Sequence, residues 1–211
     1  MIREAVASDI AQIVRVHGMA FPDSFLTRLG PQFLKGYYRL VLEYEGGILL
    51  VDEADSRVLG FAAGFRKPAL FYSRTRQQRG VLVIAVLIGM LRRPWLAPRV
   101  LTGYLRVRAS GNPDIDPTWC ELSSLAVDPG QSTRGIGSDL VAAFLRRAWE
   151  AGASRVCLTT DATGNEGVNR FYRKRGFVQT DQLRRTGGRL MNLYTLERPS
   201  QPLAERTGAI T

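Results

Sequence analysis

Histidine is nearly missing from this chain: His17 is the only one among 211 residues, and there are two cysteines, Cys120 and Cys157. No C-x-x-C spacing occurs and both cysteines sit in apolar, strand-like runs, so no metal site and no disulfide framework is expected, only reduced core thiols. Neither thiol has a histidine beside it in sequence to activate it, which argues against a thiol-bound intermediate. A G-x-x-x-x-G-K-[ST] phosphate loop is absent, as is an N-terminal G-x-G-x-x-G followed by an acidic residue, so neither a P-loop nor a Rossmann dinucleotide site is read. The opening MIREAVASDI lacks the apolar segment of a secretory signal, which makes a cytoplasmic location the default expectation. The run Val81–Leu91, VLVIAVLIGML, is too short to span a bilayer. Acidic residues are few: 19 against 29 basic ones, a formal net charge of +10 that attracts anions. The arginines are scattered and no aromatic-plus-basic pattern accompanies them, so no nucleic-acid partner is expected.

What is present is an ordinary apolar fraction, 45%, in a length that suits one mixed domain. We read that domain over residues 1–198, with 67–116 as a helical insertion and 199–211 as a tail. Ile2–Ala5 is a short strand. Ser8 is positioned to cap a helix carrying Ile10, Ile13, Val14 and His17 at helical spacing. Phe21–Gly30 breaks the pattern and reads as a loop whose aromatics are either pocket residues or core plugs. Pro31 suits the first turn of a second helix with the apolar face Phe33, Leu34, Tyr37, Tyr38, Val41 and Leu42. Ile48–Val51 and Val58–Phe65 form a hairpin across the Asp52–Ser56 turn, and Gly60 and Gly64 suggest close backbone approach. The insertion holds Val81–Leu91, flanked by arginines and apolar all round, then Trp95–Arg108. A core or dimer-interface helix and an interfacial helix touching anionic lipid both remain open for the first of these. A homodimer and a peripheral membrane contact are therefore carried as alternatives.

The chain is organised around Cys120–Trp149, CELSSLAVDPGQSTRGIGSDLVAAFLRRAW: a strand, a polar glycine-containing turn and an amphipathic helix from Arg134 to Glu150. The first N–H groups of such a helix lack internal partners and its dipole is positive there, so the turn is a ready anion site. Arg155–Thr159 is the next strand, Asn165–Arg175 a helix ended by Gly176, and Phe177–Gln179 and Leu190–Leu196 the last strands, joined through the basic Leu183–Arg189 loop.

Two motifs resemble the GNAT superfamily of acyl-CoA-dependent N-acyltransferases. Leu122–Val127 running into DPGQSTRGIG is similar to that family's fourth strand and pyrophosphate loop, [RQ]-x-x-G-x-[GA], in the register Ser132, Thr133, Arg134, Gly135, Ile136, Gly137. Asn165-x-x-Val168-x-x-Phe171-Tyr172-x-x-x-Gly176-Phe177 is similar to its N-x-x-A-x-x-[FL]-Y-x-x-x-G-F stretch. The first loop position is Ser132 where the family has Arg or Gln. The resemblance implies an α/β fold with a mixed α+β sheet, a GNAT-like acyl-CoA N-acyltransferase fold with the helical insertion between its third and fourth strands. It implies acetyl-CoA as co-substrate, held by Leu125, Ala126, Val127, Ser132, Thr133, Arg134, Gly135, Ile136, Gly137, Ser138, Asn165 and Tyr172. It also implies Tyr172 as general acid to the departing thiolate, with a packing tyrosine as the alternative, and Glu121 as direct or water-mediated base, with a salt-bridged strand residue as the alternative. The Val127 N–H would polarise the acetyl carbonyl.

The acceptor is expected to be a small-molecule primary amine meeting Phe21, Ser24 and Phe25 together with the insertion. The basic balance favours an anionic one, such as a nucleotide-linked amino sugar. Protein or peptide N-acetylation, a non-catalytic acyl-CoA sensor and a membrane-associated protein are the alternatives.

Overall fold

A computed structural model of the chain describes residues 1–77, 116, 118–131, 135–184 and 188–199. Val81–Leu91, Trp95–Arg108, Ser132, Thr133, Arg134, part of the Leu183–Arg189 loop and nearly all of the expected tail lie outside the described residues.

The described residues build one seven-stranded mixed sheet in the order β1-β2-β3-β4-β5-β7-β6. These are β1 (Ile2–Glu4), β2 (Gly47–Ala54), β3 (Arg57–Arg66), β4 (Trp119–Val127), β5 (Arg155–Asp161), β6 (Val178–Arg184) and β7 (Leu190–Glu197). Every neighbour is antiparallel except β4 and β5. The β2–β3 hairpin closes at Ala54↔Arg57 on Asp55 and Ser56, both at positive φ, the backbone twist a tight two-residue hairpin turn requires.

Helices cover both faces. On one lie α1 (Ile10–Ala20) and α3 (Pro31–Glu43); on the other lies α5 (Ile136–Glu150). Burial of Ile10, Ile13, Val14 and His17 follows the expected helical spacing. Pro31 starts α3 after Gly30, whose φ of 96° suits only glycine, and Leu34, Tyr38 and Val41 are sealed beneath it. Ile136, Leu140, Val141, Phe144 and Ala148 line α5 toward the sheet. The sheet thus separates two hydrophobic clusters. One is built by α5, Leu122, Val156, Leu158, Phe177 and Tyr194. The other is built by α1, α3, Phe61, Phe65 and Phe71.

Two local expectations change, and one takes shape. Ser8 does not cap α1. A 3-10 turn, Ala7–Asp9, precedes the helix, and the Asp9 carboxylate accepts from the Val6 N–H at 2.8 Å and from Arg3 at 2.6 Å. Phe21–Gly30 contains a helical turn, α2 (Phe25–Arg28), capped by Ser24, whose Oγ accepts from the Thr27 N–H at 3.1 Å. The start of the expected insertion is helical: α4 (Pro68–Gln77) leaves β3 through Lys67, which takes φ 52° and donates its N–H to Trp119 O at 3.0 Å.

His17 is buried, with Nδ1 2.6 Å from the Tyr38 hydroxyl and Nε2 3.5 Å from Ser24 Oγ. Burial lowers its pKa to about 4. The unfolded chain, with an ordinary histidine near pH 6.5, then binds more protons than the folded one between those values. Stability from this group is complete above the unfolded pKa and falls as the pH drops from about 6.5 to about 4. Asp9, lowered by its bond to Arg3, adds a loss in the same direction in a more acidic window, below its ordinary 3.8. Melting temperature against pH should show the His17 slope, and His17→Gln should remove it; a flat profile over that window contradicts a buried neutral imidazole.

Candidate functional site

The sheet opens between β4 and β5. β4 and β5 pair in parallel at Trp119↔Arg155, Cys120↔Val156 and Glu121↔Cys157, and their pairing ends there, while β4 continues beside β3 to Val127↔Gly60. The Asp128 N–H donates to Leu59 O at 2.7 Å. By the alternation of an antiparallel ladder, Ala126 also turns its amide toward β3, whereas Leu125 and Val127 turn theirs toward the β5 side, into the gap.

A bulge sets which side chains flank this gap. Leu122 pairs with Gly64 and Ser124 with Ala63, leaving Ser123 as the extra residue. Strict alternation would put Glu121, Leu125 and Val127 on one face. Instead Leu122, Leu125 and Val127 pack with α5, while Glu121, opposite Phe65, and Ala126 lie on the α1/α3 side. Ser123 Oγ donates to Ala63 O at 3.0 Å and accepts from the Tyr37 hydroxyl at 2.9 Å, which ties the bulge to α3. Gly64 permits it: a Cβ there would stand 2.0 Å from Glu121 O and 2.5 Å from Phe144 Cζ, the close approach read from the sequence.

Glu121 is half-buried, and its Oε1 accepts from the Tyr72 hydroxyl of α4 at 2.9 Å. Its register partner Cys157 is buried, and desolvation followed by the Glu121 charge pushes that thiol up to about 12. Cys120 is displaced in the same direction, chiefly by burial. Both thiols therefore stay protonated at neutral pH.

Past the end of β4, Gly135 takes φ 77° at the head of α5. Ile136 is buried and anchors that turn, and a Cβ on Gly137 would meet Phe171 at 3.5 Å and Val127 Cγ2 at 3.6 Å. Gly137 thus faces the space between β4 and α6 (Glu166–Arg173) with bare backbone. Ser138 lies in the first turn of α5 and accepts from Arg175, whose guanidinium carbon sits 3.4 Å over the Phe171 ring and whose Nη1 donates to Phe171 O at 2.8 Å.

Tyr172 lies on α6, buried between Phe171, Phe177 and Tyr194. Burial raises its pKa far above that of an ordinary phenol, and the charge of Arg175 offsets only part of that. Asn165 caps α6 with its backbone: its carbonyl accepts from the Asn169 N–H at 3.0 Å and from Asn169 Nδ2 at 2.9 Å. Asn169 also donates to Asp161 O at 3.0 Å and accepts from Thr160 Oγ1 at 2.6 Å and Asn192 Nδ2 at 3.2 Å. This buried amide fixes α6, and hence Tyr172, against β5 and β7.

Of the expected residues that are described, Leu125 and Val127 edge the gap, Glu121 lies on its α3/α4 side and Tyr172 on the α5/α6 side. Phe21, Ser24 and Phe25 lie on the Glu121 side of the sheet, on and before α2. Phe21 packs edge-on to His17, the Ser24 hydroxyl is spent on its cap, and Phe25 is 41% exposed. Tyr72, Tyr37 and Arg175 are additions. Arg175 was visible as a basic residue inside the second motif, and Tyr37 as part of the apolar face of α3. A separate polar groove of about 290 Å³, lined by Glu4, Tyr44, Glu45 and Arg147 among others, lies at the β1–β2 edge and shares none of these residues.

A model of the acetyltransferase (GNAT) family matches residues 12–177. No curated protein matches the chain in sequence. Among solved structures, the ribosomal-protein-alanine N-acetyltransferase of Brucella melitensis is 16% identical, with a TM-score of 0.62 over 94% of this chain and 99% of its own. An aminoglycoside 6'-acetyltransferase type Ii is 14% identical, with a TM-score of 0.62 over 96% of this chain and 99% of its own. The PaiA N-acetyltransferase of Thermoplasma acidophilum, solved with coenzyme A, is 14% identical, with a TM-score of 0.50 over 92% of this chain and 96% of its own. At these identities the structures speak for the fold, while the family model spans most of the chain: the protein belongs to the GNAT family of acetyltransferases.

Proposed function

We propose that the chain moves an acetyl group from acetyl-CoA directly to a primary amine of a small, anionic acceptor. The observation that carries this reading is the β4–β5 gap, which opens after Glu121, is edged by the Leu125 and Val127 amides and ends on the first turn of α5. Acetyl-CoA supplies the acetyl group as a thioester. Its extended arm fits the gap as a surrogate strand, bonding to the backbone of Leu125 and Val127, with the Ala126 side chain packed behind. Its pyrophosphate fits the helix terminus at Gly135–Ser138, where bare glycine backbone and the helix dipole favour negative charge. Arg175 brings a guanidinium to Ser138 and offsets the missing arginine or glutamine at Ser132. Thr133, Arg134 and Asn165 complete the set.

The two sides of the gap divide the proton transfers. Glu121, on the α3/α4 side, takes the proton of the incoming ammonium directly or through water, since only the neutral amine is nucleophilic. The Val127 N–H polarises the acetyl carbonyl. Tyr172, on the α5/α6 side, protonates the departing thiolate; a phenol held above its usual pKa keeps its proton until that moment. With both cysteines held protonated, direct transfer without an acyl-enzyme is favoured. The net charge of +10 supports an anionic acceptor such as a nucleotide-linked amino sugar, with Phe21 and Phe25 toward its side of the site.

A second reading, acetylation of a protein or peptide amine, is favoured by the likeness to the ribosomal-protein-alanine N-acetyltransferase of Brucella melitensis. Thiol release measured over a panel of nucleotide-linked amino sugars, neutral amines and short peptides separates the two. The first reading expects the highest kcat/KM on the anionic amines. Turnover confined to peptides replaces it with the second, and acetyl-CoA binding without turnover on any amine leaves a non-catalytic binder.

A further inference from the structure

We propose that Tyr72, on the helix that opens the segment between β3 and β4, is the positioning residue of the carboxylate at Glu121; this rests on the reading of Glu121 as the base. Three contacts hold α4 at the site. Phe71 is 2% exposed and stacks on Phe65, with ring centroids 3.8 Å apart, and Phe65 is the register partner of Glu121 on β3. Tyr72 meets the same Phe65 ring edge-on at 5.4 Å. The Lys67 N–H bonds to Trp119 O, so the helix departs directly from the β3–β4 ladder two residues before Glu121. Anchored in this way, Tyr72 reaches Glu121 Oε1 at 2.9 Å.

The direction of the bond follows from the groups around it. A phenol keeps its proton at neutral pH and an ionised carboxylate has none to give, so Tyr72 donates and Glu121 Oε1 accepts. The titratable groups near Glu121 include Tyr72 from α4, Tyr37 from α3, Cys157 from β5 and its chain neighbour Cys120. Arg66 of β3 acts on the neighbouring Cys120. Tyr37 and Cys157 are held neutral by burial, while the phenol of Tyr72 donates to the carboxylate, which favours its charged form and holds its orientation.

The test combines kinetics with a titration that needs no turnover. Tyr72→Phe should lower kcat about tenfold with little change in acceptor KM, because orientation is lost rather than binding. It should also move both the acidic limb of kcat/KM and the carbon-13 carboxylate titration of Glu121 upward by about one pH unit, as a donor to the charged form is removed. If Glu121 titrates at the same pH in both proteins, the Tyr72 contact is overturned while the base reading stands. If Glu121→Gln keeps the parental kcat, the base reading falls and the catalytic consequence drawn here falls with it, whatever the titration shows.

Discussion

Replacing Tyr172 with phenylalanine should lower kcat about a hundredfold and leave the dissociation constant for acetyl-CoA within about twofold of the parent. The ring is sealed among Phe171, Phe177 and Tyr194, and phenylalanine keeps its volume, so α6 and the strip beside Gly137 should hold their shape. Only the hydroxyl is lost. A thiolate leaving into a gap lined by apolar side chains is poorly solvated, and the nearby cysteines are held neutral rather than poised as acids, chiefly by burial. The loss should therefore be largest for slow, basic leaving thiolates and smaller for an acyl donor whose thiolate is a weak base. Single-turnover kinetics with two thioesters of different thiol pKa measure this directly. An equal loss on both donors would assign Tyr172 to packing.

Gly64→Ala should cost about 3 kcal/mol or more of stability and abolish turnover. The added methyl falls 2.0 Å from a backbone oxygen, that of Glu121, which cannot rotate away as a side-chain end could. Relief requires β4 to move off β3, yet β4 is held by the Ser123 bulge, the Tyr37 hydroxyl and the buried Phe144 on the opposite face. Gly135 provides the contrast. A Cβ there meets nothing within 4 Å, but its φ of 77° strains any other residue, so Gly135→Ala should cost roughly 1 kcal/mol and act mainly on acetyl-CoA affinity. Urea unfolding of both variants separates the cases; a Gly64→Ala protein as stable as the parent would contradict the placement of the bulge.

The local motifs were legible because each is a short stretch whose chemistry is carried by its own backbone. Gly135 and Gly137 lead α5, and Tyr172 and Gly176 end α6, all within a few residues of where the pattern expects them. The bulge was not legible. WCELSSLAV reads as a straight alternating strand, and nothing in Ser123-Ser124 announces that Glu121 and Val127 end on opposite faces. Within the expected helical insertion, the bounds and buried face of α4 were not legible because its apolar residues Leu70, Phe71 and Tyr72 are consecutive rather than spaced by a turn, and of these Phe71 alone is sealed. The Ser24 turn hid in a stretch read as loop for the same reason: a helix of one turn has no period to detect. Features set by contacts between distant segments, Tyr72 with Glu121 and Tyr37 with Ser123, have no local signal at all.

The most direct measurement is calorimetric titration of the protein with acetyl-CoA. The account predicts saturable binding at one site per chain in the micromolar range, weakened by Gly135→Ala and by Arg175→Gln and nearly unchanged in Tyr172→Phe. An absence of heat up to high micromolar acetyl-CoA, from protein that is folded by circular dichroism, would contradict the assignment of the β4–β5 gap and the head of α5 as the acyl-CoA site.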